Sequence, residues 1–144
     1  MTIVAMAAAH VAEVAAIERE CFAIPWSAKA LEEELRNPAA RFFVSLFDGE
    51  VAGYIGCHVV LDQGYITNVA VKEAYRRRGV GKALVRHLQN AGAGKLSSLS
   101  LEVRQGNETA KKLYRSCGFY EAGTRKNFYR NPAEDGIIMN YEYR

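Results

Sequence analysis

The sequence is poor in cysteine and proline, with three of each among 144 residues. Cys21, Cys57 and Cys117 are too few and too scattered for a disulfide framework, and no C-x-x-C or His-rich spacing offers a zinc site. This excludes a disulfide-stapled secreted fold and fits a reduced, cytosolic setting. No stretch approaches 18 apolar residues, so no membrane-spanning helix is expected. The opening MTIVAMAAAHVAEVAAIERE lacks a basic segment and runs into acidic residues, unlike a secretory leader. Charge of one sign is also scarce. The net charge is +3, from 19 Lys+Arg against 16 Asp+Glu, which is too mild to imply a nucleic-acid partner. No internal repeat is visible, and no linker divides the chain.

What is present is an ordinary folding composition. Hydrophobic residues make up 49% and charged residues 24%, which rules out a disordered or collagen-like chain. The length predicts one domain over residues 1–144, long enough to bury a conventional core. Ile3–Ala5 reads as a short strand. Over Ala8–Phe22, apolar residues at Val11, Val14, Ala15, Ile17, Cys21 and Phe22 recur at mostly helical spacing. Pro25-Trp26-Ser27 interrupts, and Ser27 is the N-cap of a short helix to Leu35, which Asn37-Pro38 ends. Arg41–Phe47 and Val51–Val60 are strands joined by a turn at Asp48-Gly49. Asp62-Gln63-Gly64 turns again into a strand at Tyr65–Val71. A helix over Gly81–Asn90, ended by Gly92 and Gly94, precedes a strand at Ser97–Val103. Asn107–Cys117 is a helix with Asn107 as N-cap and Gly118 just past its end. Phe119–Asn127 and Gly136–Tyr143 form a last antiparallel pair. The expected fold class is a mixed α/β domain around one twisted sheet.

One turn carries chemistry. Arg76-Arg77-Arg78-Gly79-Val80-Gly81-Lys82 follows a strand and opens a helix. Glycine admits positive φ, and the first turn of a helix directs unpaired N–H groups and a positive dipole end outward. With three arginines and Lys82 this is an anion site suited to a pyrophosphate. It is neither a dinucleotide fingerprint nor a P-loop. Taken alone it reads equally as a solvated basic turn.

The motif Arg76-x-x-Gly79-x-Gly81, following Asn68-Val69-Ala70-Val71, resembles the Q/R-x-x-G-x-G/A acetyl-CoA signature of the GNAT superfamily of N-acetyltransferases. Leu101-Glu102-Val103-Arg104, Asn107, Leu113-Tyr114 and Gly118-Phe119 resemble the fourth-motif region of that family. Phe22, Pro25-Trp26-Ser27, Val60-Leu61-Asp62 and Asn127-Phe128-Tyr129 make the sequence most similar to its bacterial branch acting on the N-terminal alanine of a ribosomal protein. The resemblance covers nearly the whole chain. It implies a twisted, mostly antiparallel sheet with a central parallel strand pair and about four flanking helices. It implies acetyl-CoA as cosubstrate, no metal, a protein N-terminus as acceptor, and a monomer or weak dimer in the cytoplasm.

By that resemblance, Arg76, Arg77, Arg78, Gly79, Val80 and Gly81 hold the pyrophosphate. Val69, Ala70 and Val71 lie beside the pantetheine arm as a strand would, and one of their N–H groups stabilises the oxyanion. Asn107 and Tyr114 also contact the cofactor. Glu102 is the candidate general base. Ser98, Ser100 and Glu102 alternate with Leu99, Leu101 and Val103, which puts Glu102 on the polar face near the strand's carboxyl end. An α-amine with a pKa of roughly 7.7–8.0 is mostly protonated at neutral pH, so an ordinary carboxylate needs a raised pKa or a relaying water to act as its base. Without the resemblance, Glu102 reads as an exposed strand-end glutamate. Tyr114 is the candidate acid, because a phenol near pKa 10 holds a proton for a departing thiolate. Without the resemblance, it reads as packing. The cysteines read as small core residues. His10, His58 and His87 show no nucleophile pairing, so direct transfer is expected.

The acceptor cleft is expected between Phe22–Ser27 and Lys126–Asp135. Trp26 and Tyr129 are candidates to line it, and Glu134 and Asp135 to attract a cationic N-terminus; each also reads as an ordinary loop residue. Two other readings stay open: an acetyltransferase for a small amine such as a polyamine or aminoglycoside, and a non-catalytic acetyl-CoA-binding module. A nucleic-acid module built on Arg76-Arg77-Arg78 is the weakest, since nothing else forms a basic stripe.

Overall fold

Alternating apolar residues and short turns make the first half of the chain a run of antiparallel strands. In the computed structural model, which describes residues 1–144, β1 (Thr2–Ala5) pairs with β2 (Ala40–Phe47), and β2 pairs with β3 (Glu50–Val60). Asp48 and Gly49 both take positive φ, 50° and 81°, the turn that matches the strands' own twist. α1 (Val11–Cys21) and α2 (Ala28–Leu35) lie between β1 and β2. Ser27 caps α2 by accepting the Ala30 N–H at 3.1 Å.

β4 (Gln63–Val71) starts two residues before the expected Tyr65. Val60 faces Gln63, so the hairpin turns on Leu61 and Asp62, with Leu61 at φ 57°. Gly64 is therefore not a turn residue. A Cβ there would stand 2.6 Å from Leu99 Cδ2 and 3.1 Å from Cys57 Sγ, so this glycine admits close packing of β5. A short 3₁₀ turn at Glu73–Tyr75, which the sequence pattern did not announce, leads to α3 (Val80–Gly92). β5 (Ser98–Arg104) and α4 (Glu108–Ser116) follow, then β6 (Tyr120–Tyr129) and β7 (Glu134–Glu142), a longer hairpin than expected. Asn107 caps α4 by accepting the Ala110 N–H at 3.1 Å, and Gly118 takes φ 91° beyond it.

The seven strands form one sheet in the order β1-β2-β3-β4-β5-β7-β6, antiparallel except for β4 with β5. Neighbouring side chains divide between its faces. Tyr54 packs with Val14, Ile17 and Leu31 under α1 and α2. Ile55 packs with Leu84, Leu88, Leu99 and Met139 under α3 and α4. Each such fully buried aliphatic side chain contributes roughly 1.5–3 kcal/mol. No helix is long and apolar enough to cross a membrane.

The parallel pair holds over only three residues: Gln63, Gly64 and Tyr65 match Ser98, Leu99 and Ser100. Beyond Tyr65 the strands part. A bulge helps to cause this. The β3–β4 register shifts where Gly56 and Cys57 face Asn68 and Ile66, leaving Thr67 extra. Bulges bend and twist a strand.

Gly53 keeps β4 seated against β3 beside the start of α3. A Cβ there would meet the Ala70 carbonyl oxygen at 2.8 Å and Val80 Cγ1 at 3.3 Å. The first of these is backbone and cannot swing away. Gly53→Ala is expected to lower stability by about 1–3 kcal/mol, read by urea denaturation.

Candidate active site

The parting of β4 and β5 opens a cavity of about 620 Å³, floored by Ile66–Val69 on one strand and Leu101–Arg104 on the other. The loop after α1 forms one wall through Phe22, Ile24 and Trp26. The β6–β7 hairpin forms the opposite wall through Phe128, Tyr129 and Pro132. Both segments singled out as cleft flanks thus meet at one cavity.

Hydrogen-bond alternation determines which β4 backbone groups reach the gap. Lys72 N–H donates to the Ala52 carbonyl at 2.7 Å, so Ala70 also directs its polar groups toward β3, while Val69 and Val71 direct theirs into the gap. Of the three strand residues expected beside a ligand, Ala70 offers no backbone group. The Val71 carbonyl already accepts from Arg76 Nε at 3.1 Å and from the Cys21 thiol at 3.6 Å. The Val69 N–H and carbonyl have no such partner.

The basic turn begins α3. Gly79 is its N-cap at φ 76°, and a Cβ there would find no atom within 4 Å. The cradle is open, and the N–H groups of Val80, Gly81 and Lys82 precede the first intrahelical donor, Ala83. Gly81 serves packing instead, since its Cβ would stand 2.9 Å from Leu113 Cδ1 of α4. The three arginines differ. Arg76 folds inward, with Nη2 3.2 Å from Cys21 Sγ. Arg78 lies over the Tyr75 ring at 5.4 Å. Arg77 holds a positive φ of 64°. They form no stripe.

Glu102 lies on the cavity floor with its side chain only 7% exposed. One carboxylate oxygen accepts from the Tyr65 hydroxyl, and the other lies 3.4 Å from Arg125 Nε. Burial, and then this bond to Glu102, raises the pKa of the Tyr65 phenol. Tyr65 is the last β4 residue paired with β5, so it sits at the fork itself. Tyr114 enters the cavity from α4, its ring 5.8 Å from that of Phe119. Burial raises its pKa, which keeps the phenol protonated at neutral pH. Asn107 also reaches the cavity, with its carbonyl oxygen already spent on the α4 cap. The structure therefore brings Glu102, Tyr114, Asn107 and Val69 to one space.

Two expected acceptor-site carboxylates lie elsewhere. Glu134 pairs with Arg104 at 3.2 Å and accepts the Gly106 N–H at 2.7 Å, and Asp135 accepts the Asn127 N–H at 2.8 Å. Both are consumed in holding the hairpin. Arg104 also donates to the carbonyls of Pro132 and Arg130, at 2.9 and 2.8 Å, and stacks over Tyr129 at 4.5 Å. Burial, and then the Glu102 charge, pushes the Tyr129 phenol up to about 12.

Sequence reasoning missed Tyr65, Arg125 and a buried group beneath the acceptor wall. Glu18, 1% exposed on α1, accepts from Trp26 N–H at 2.9 Å, the Tyr54 hydroxyl at 2.5 Å and Asn68 Nδ2 at 3.1 Å. An acidic residue on the apolar stripe of α1, beside Val14 and Ile17, was the available signal.

The site is thus a sheet forked at a parallel pair, with the free N–H groups of a helix start on one side and a carboxylate and a phenol in the fork. Comparison with known proteins gives its class. The model of the acetyltransferase (GNAT) family matches residues 11–119. A ribosomal protein bS18-alanine N-acetyltransferase of Escherichia coli is 38% identical over 128 residues, 85% of this chain and 84% of the relative. A Bacillus subtilis relative, 40% identical over 125 residues (85% and 83% of the two chains), carries the same name provisionally. The crystal structure of the Escherichia coli ribosomal-protein alanine N-acetyltransferase superposes with a TM-score of 0.90 at 34% identity, over 98% of this chain and 92% of the other. The chain belongs to the GNAT family and is an N-acetyltransferase.

The Tyr54–Glu18 contact has a pH signature. Burial, and then the Glu18 charge, raises the Tyr54 pKa far above its ordinary value of 10.0. As pH rises, the unfolded phenol loses its proton before the folded one. The stabilisation is complete below about pH 10 and is lost as pH climbs toward the folded value. Denaturation midpoints above pH 10 are expected to fall more steeply for the wild type than for Tyr54→Phe.

Proposed function

We propose that this enzyme transfers acetyl from acetyl-CoA to the α-amine of a protein N-terminus beginning with alanine, and that the acceptor is a ribosomal protein. The supporting observation is that an unpaired strand edge at Val69, the Glu102 carboxylate and the Tyr114 hydroxyl share one cavity. The activity for which the relatives are named points to the same acceptor. A ribosomal acceptor places the reaction in the cytoplasm.

The residues present fit acetyl-CoA. The open cradle at Gly79, the free N–H groups of Val80, Gly81 and Lys82, and the Arg77 and Arg78 charges suit a pyrophosphate. The gap-facing groups of Val69 suit the amide groups of an extended arm. Arg76 contributes by bracing the turn against Val71. Asn107 Nδ2 is free to donate once its oxygen caps α4. When bound, acetyl-CoA supplies an activated thioester.

Glu102 receives the amine's proton through a water, for which its two oxygens keep acceptor capacity beyond Tyr65 and Arg125. Tyr65 and Arg125 hold that carboxylate at the fork. Val69 N–H donates to the charge that develops on the acetyl oxygen, from a position fixed before the reaction. Tyr114, kept protonated by burial, gives its proton to the departing sulfur.

Mass spectrometry of an alanine-starting peptide with an internal lysine, incubated with enzyme and acetyl-CoA, is expected to show one acetyl on the α-amine. Transfer only to small amines would favour the polyamine or aminoglycoside reading, and binding without transfer a sensor. Glu102→Gln is expected to lower kcat by roughly 10²–10⁴-fold at neutral pH with acetyl-CoA affinity unchanged. Gly79→Asp is expected to abolish acetyl-CoA binding in calorimetry, because it places a negative charge in the anion cradle and a Cβ at positive φ.

A further inference from the structure

We propose that Asn68 selects the primary amine of the acceptor through its side-chain oxygen, and that Glu18 is the positioning residue that turns that oxygen into the cavity. The inference rests on the proposed α-amine acceptor and goes further, to the residue that recognises it.

The starting point is an acceptor with no donors of its own. The Glu18 carboxylate, 1% exposed, takes three hydrogen bonds: from Trp26 N–H at 2.9 Å, Tyr54 at 2.5 Å and Asn68 Nδ2 at 3.1 Å. A carboxylate only accepts, so the Asn68 amide must turn its NH₂ toward Glu18. Its oxygen is thereby directed away from Glu18. That oxygen has no partner in the chain, and Asn68 lines the cavity.

Ile66 and Leu101 face the α3–α4 core, while Ala70 belongs to the α1–α2 core. Strand alternation, with Thr67 taken up in the bulge, therefore puts Tyr65, Asn68 and Glu102 on the α1–α2 face. This is the face of the Phe22–Trp26 wall. Asn68 and Glu102 then stand on opposite strands of the fork, one on β4 and one on β5. A neutral primary amine has two N–H groups and one lone pair. Asn68 Oδ1 and the water serving Glu102 then hold the two hydrogens from opposite strands, which leaves the lone pair for the thioester carbon, and the proton shed on attack passes through that water to Glu102. The same carboxylate ties down Trp26, so the acceptor wall and the amine contact share one anchor.

Glu18→Gln replaces the pure acceptor by an amide. The substituted side chain can then present its own NH₂ toward Asn68, so the Asn68 amide reverses and offers donors to the amine. The test compares an alanine-starting peptide with its des-amino analogue, a propionyl peptide used as a competitive inhibitor. In Glu18→Gln the KM of the amine peptide is expected to rise about tenfold or more, with the KM of acetyl-CoA and the inhibition constant of the propionyl peptide unchanged. Asn68→Ala, which leaves Trp26 and Tyr54 bonded to Glu18, is expected to show the same selective loss. The double variant Glu18→Gln with Asn68→Asp restores an acceptor facing the amine and is expected to recover the wild-type KM. Equal weakening of both ligands, which a purely structural role would give, overturns the inference, as does an unchanged KM in Asn68→Ala. A wild-type enzyme inactive on the α-amine overturns the acceptor reading, and this inference with it.

Discussion

Where β4 leaves β5, a central strand pair gives up its hydrogen bonds after only three paired residues. Each hydrogen bond given up there forgoes about 0.5–1.5 kcal/mol, so a fold does not open a central strand pair cheaply. Here the cost is met by packing on both faces: Tyr54 and its neighbours under α1 and α2, Ile55 and its neighbours under α3 and α4. Those two layers clamp β3 and β4 from either side. The fork can then stay open without the sheet dividing. The fork places Tyr65, Glu102 and Val69, while Tyr114 enters the same space from α4. Tyr65 and Glu102 meet at its vertex, Val69 lies along one arm, and the loop after α1 and the β6–β7 hairpin enclose its mouth.

The glycines show how closely the backbone is specified around this opening. Gly53 lets β4 lie against β3 with no room for a methyl group, and Gly64 does the same for β4 against β5 just before the fork. Gly81 lets α3 and α4 approach. Gly79, by contrast, has no atom within 4 Å of the place a Cβ would occupy, and it holds φ 76°. Four glycines that look alike in the sequence thus divide into three that let a neighbour approach closely and one that leaves the helix start open.

Local rules read well from the sequence because their causes are local. Ser27 and Asn107 cap the helices they were expected to cap, and Asp48-Gly49 forms its tight turn. Gly64 reads wrongly as a turn residue because glycine after Asp62 carries the same local signal whether it bends the chain or admits a neighbour. Glu134 and Asp135 sit in the right hairpin, but their partners, Arg104, Gly106 and Asn127, become visible only with the register of β6 and β7. The alternation around Glu102 reveals its face. It does not reveal Tyr65, 37 positions earlier, because the β4–β5 register that joins them depends on the whole crossover through α3. Glu18 is hidden for the opposite reason: a charged residue on an apolar helix stripe looks like an imperfection until three donors from three elements converge on it.

Arg104 ties the hairpin wall to β5 through the carbonyls of Arg130 and Pro132, the Glu134 carboxylate and the Tyr129 ring. It stands two residues beyond Glu102 on the same strand. One pleat repeat, roughly 7 Å of extended chain, therefore separates the latch from the carboxylate. Covalent geometry thus sets the spacing between carboxylate and latch, while the latch holds the wall through four noncovalent contacts. The strand that presents the carboxylate therefore also anchors the far wall, so the cavity's floor and that wall share one ruler.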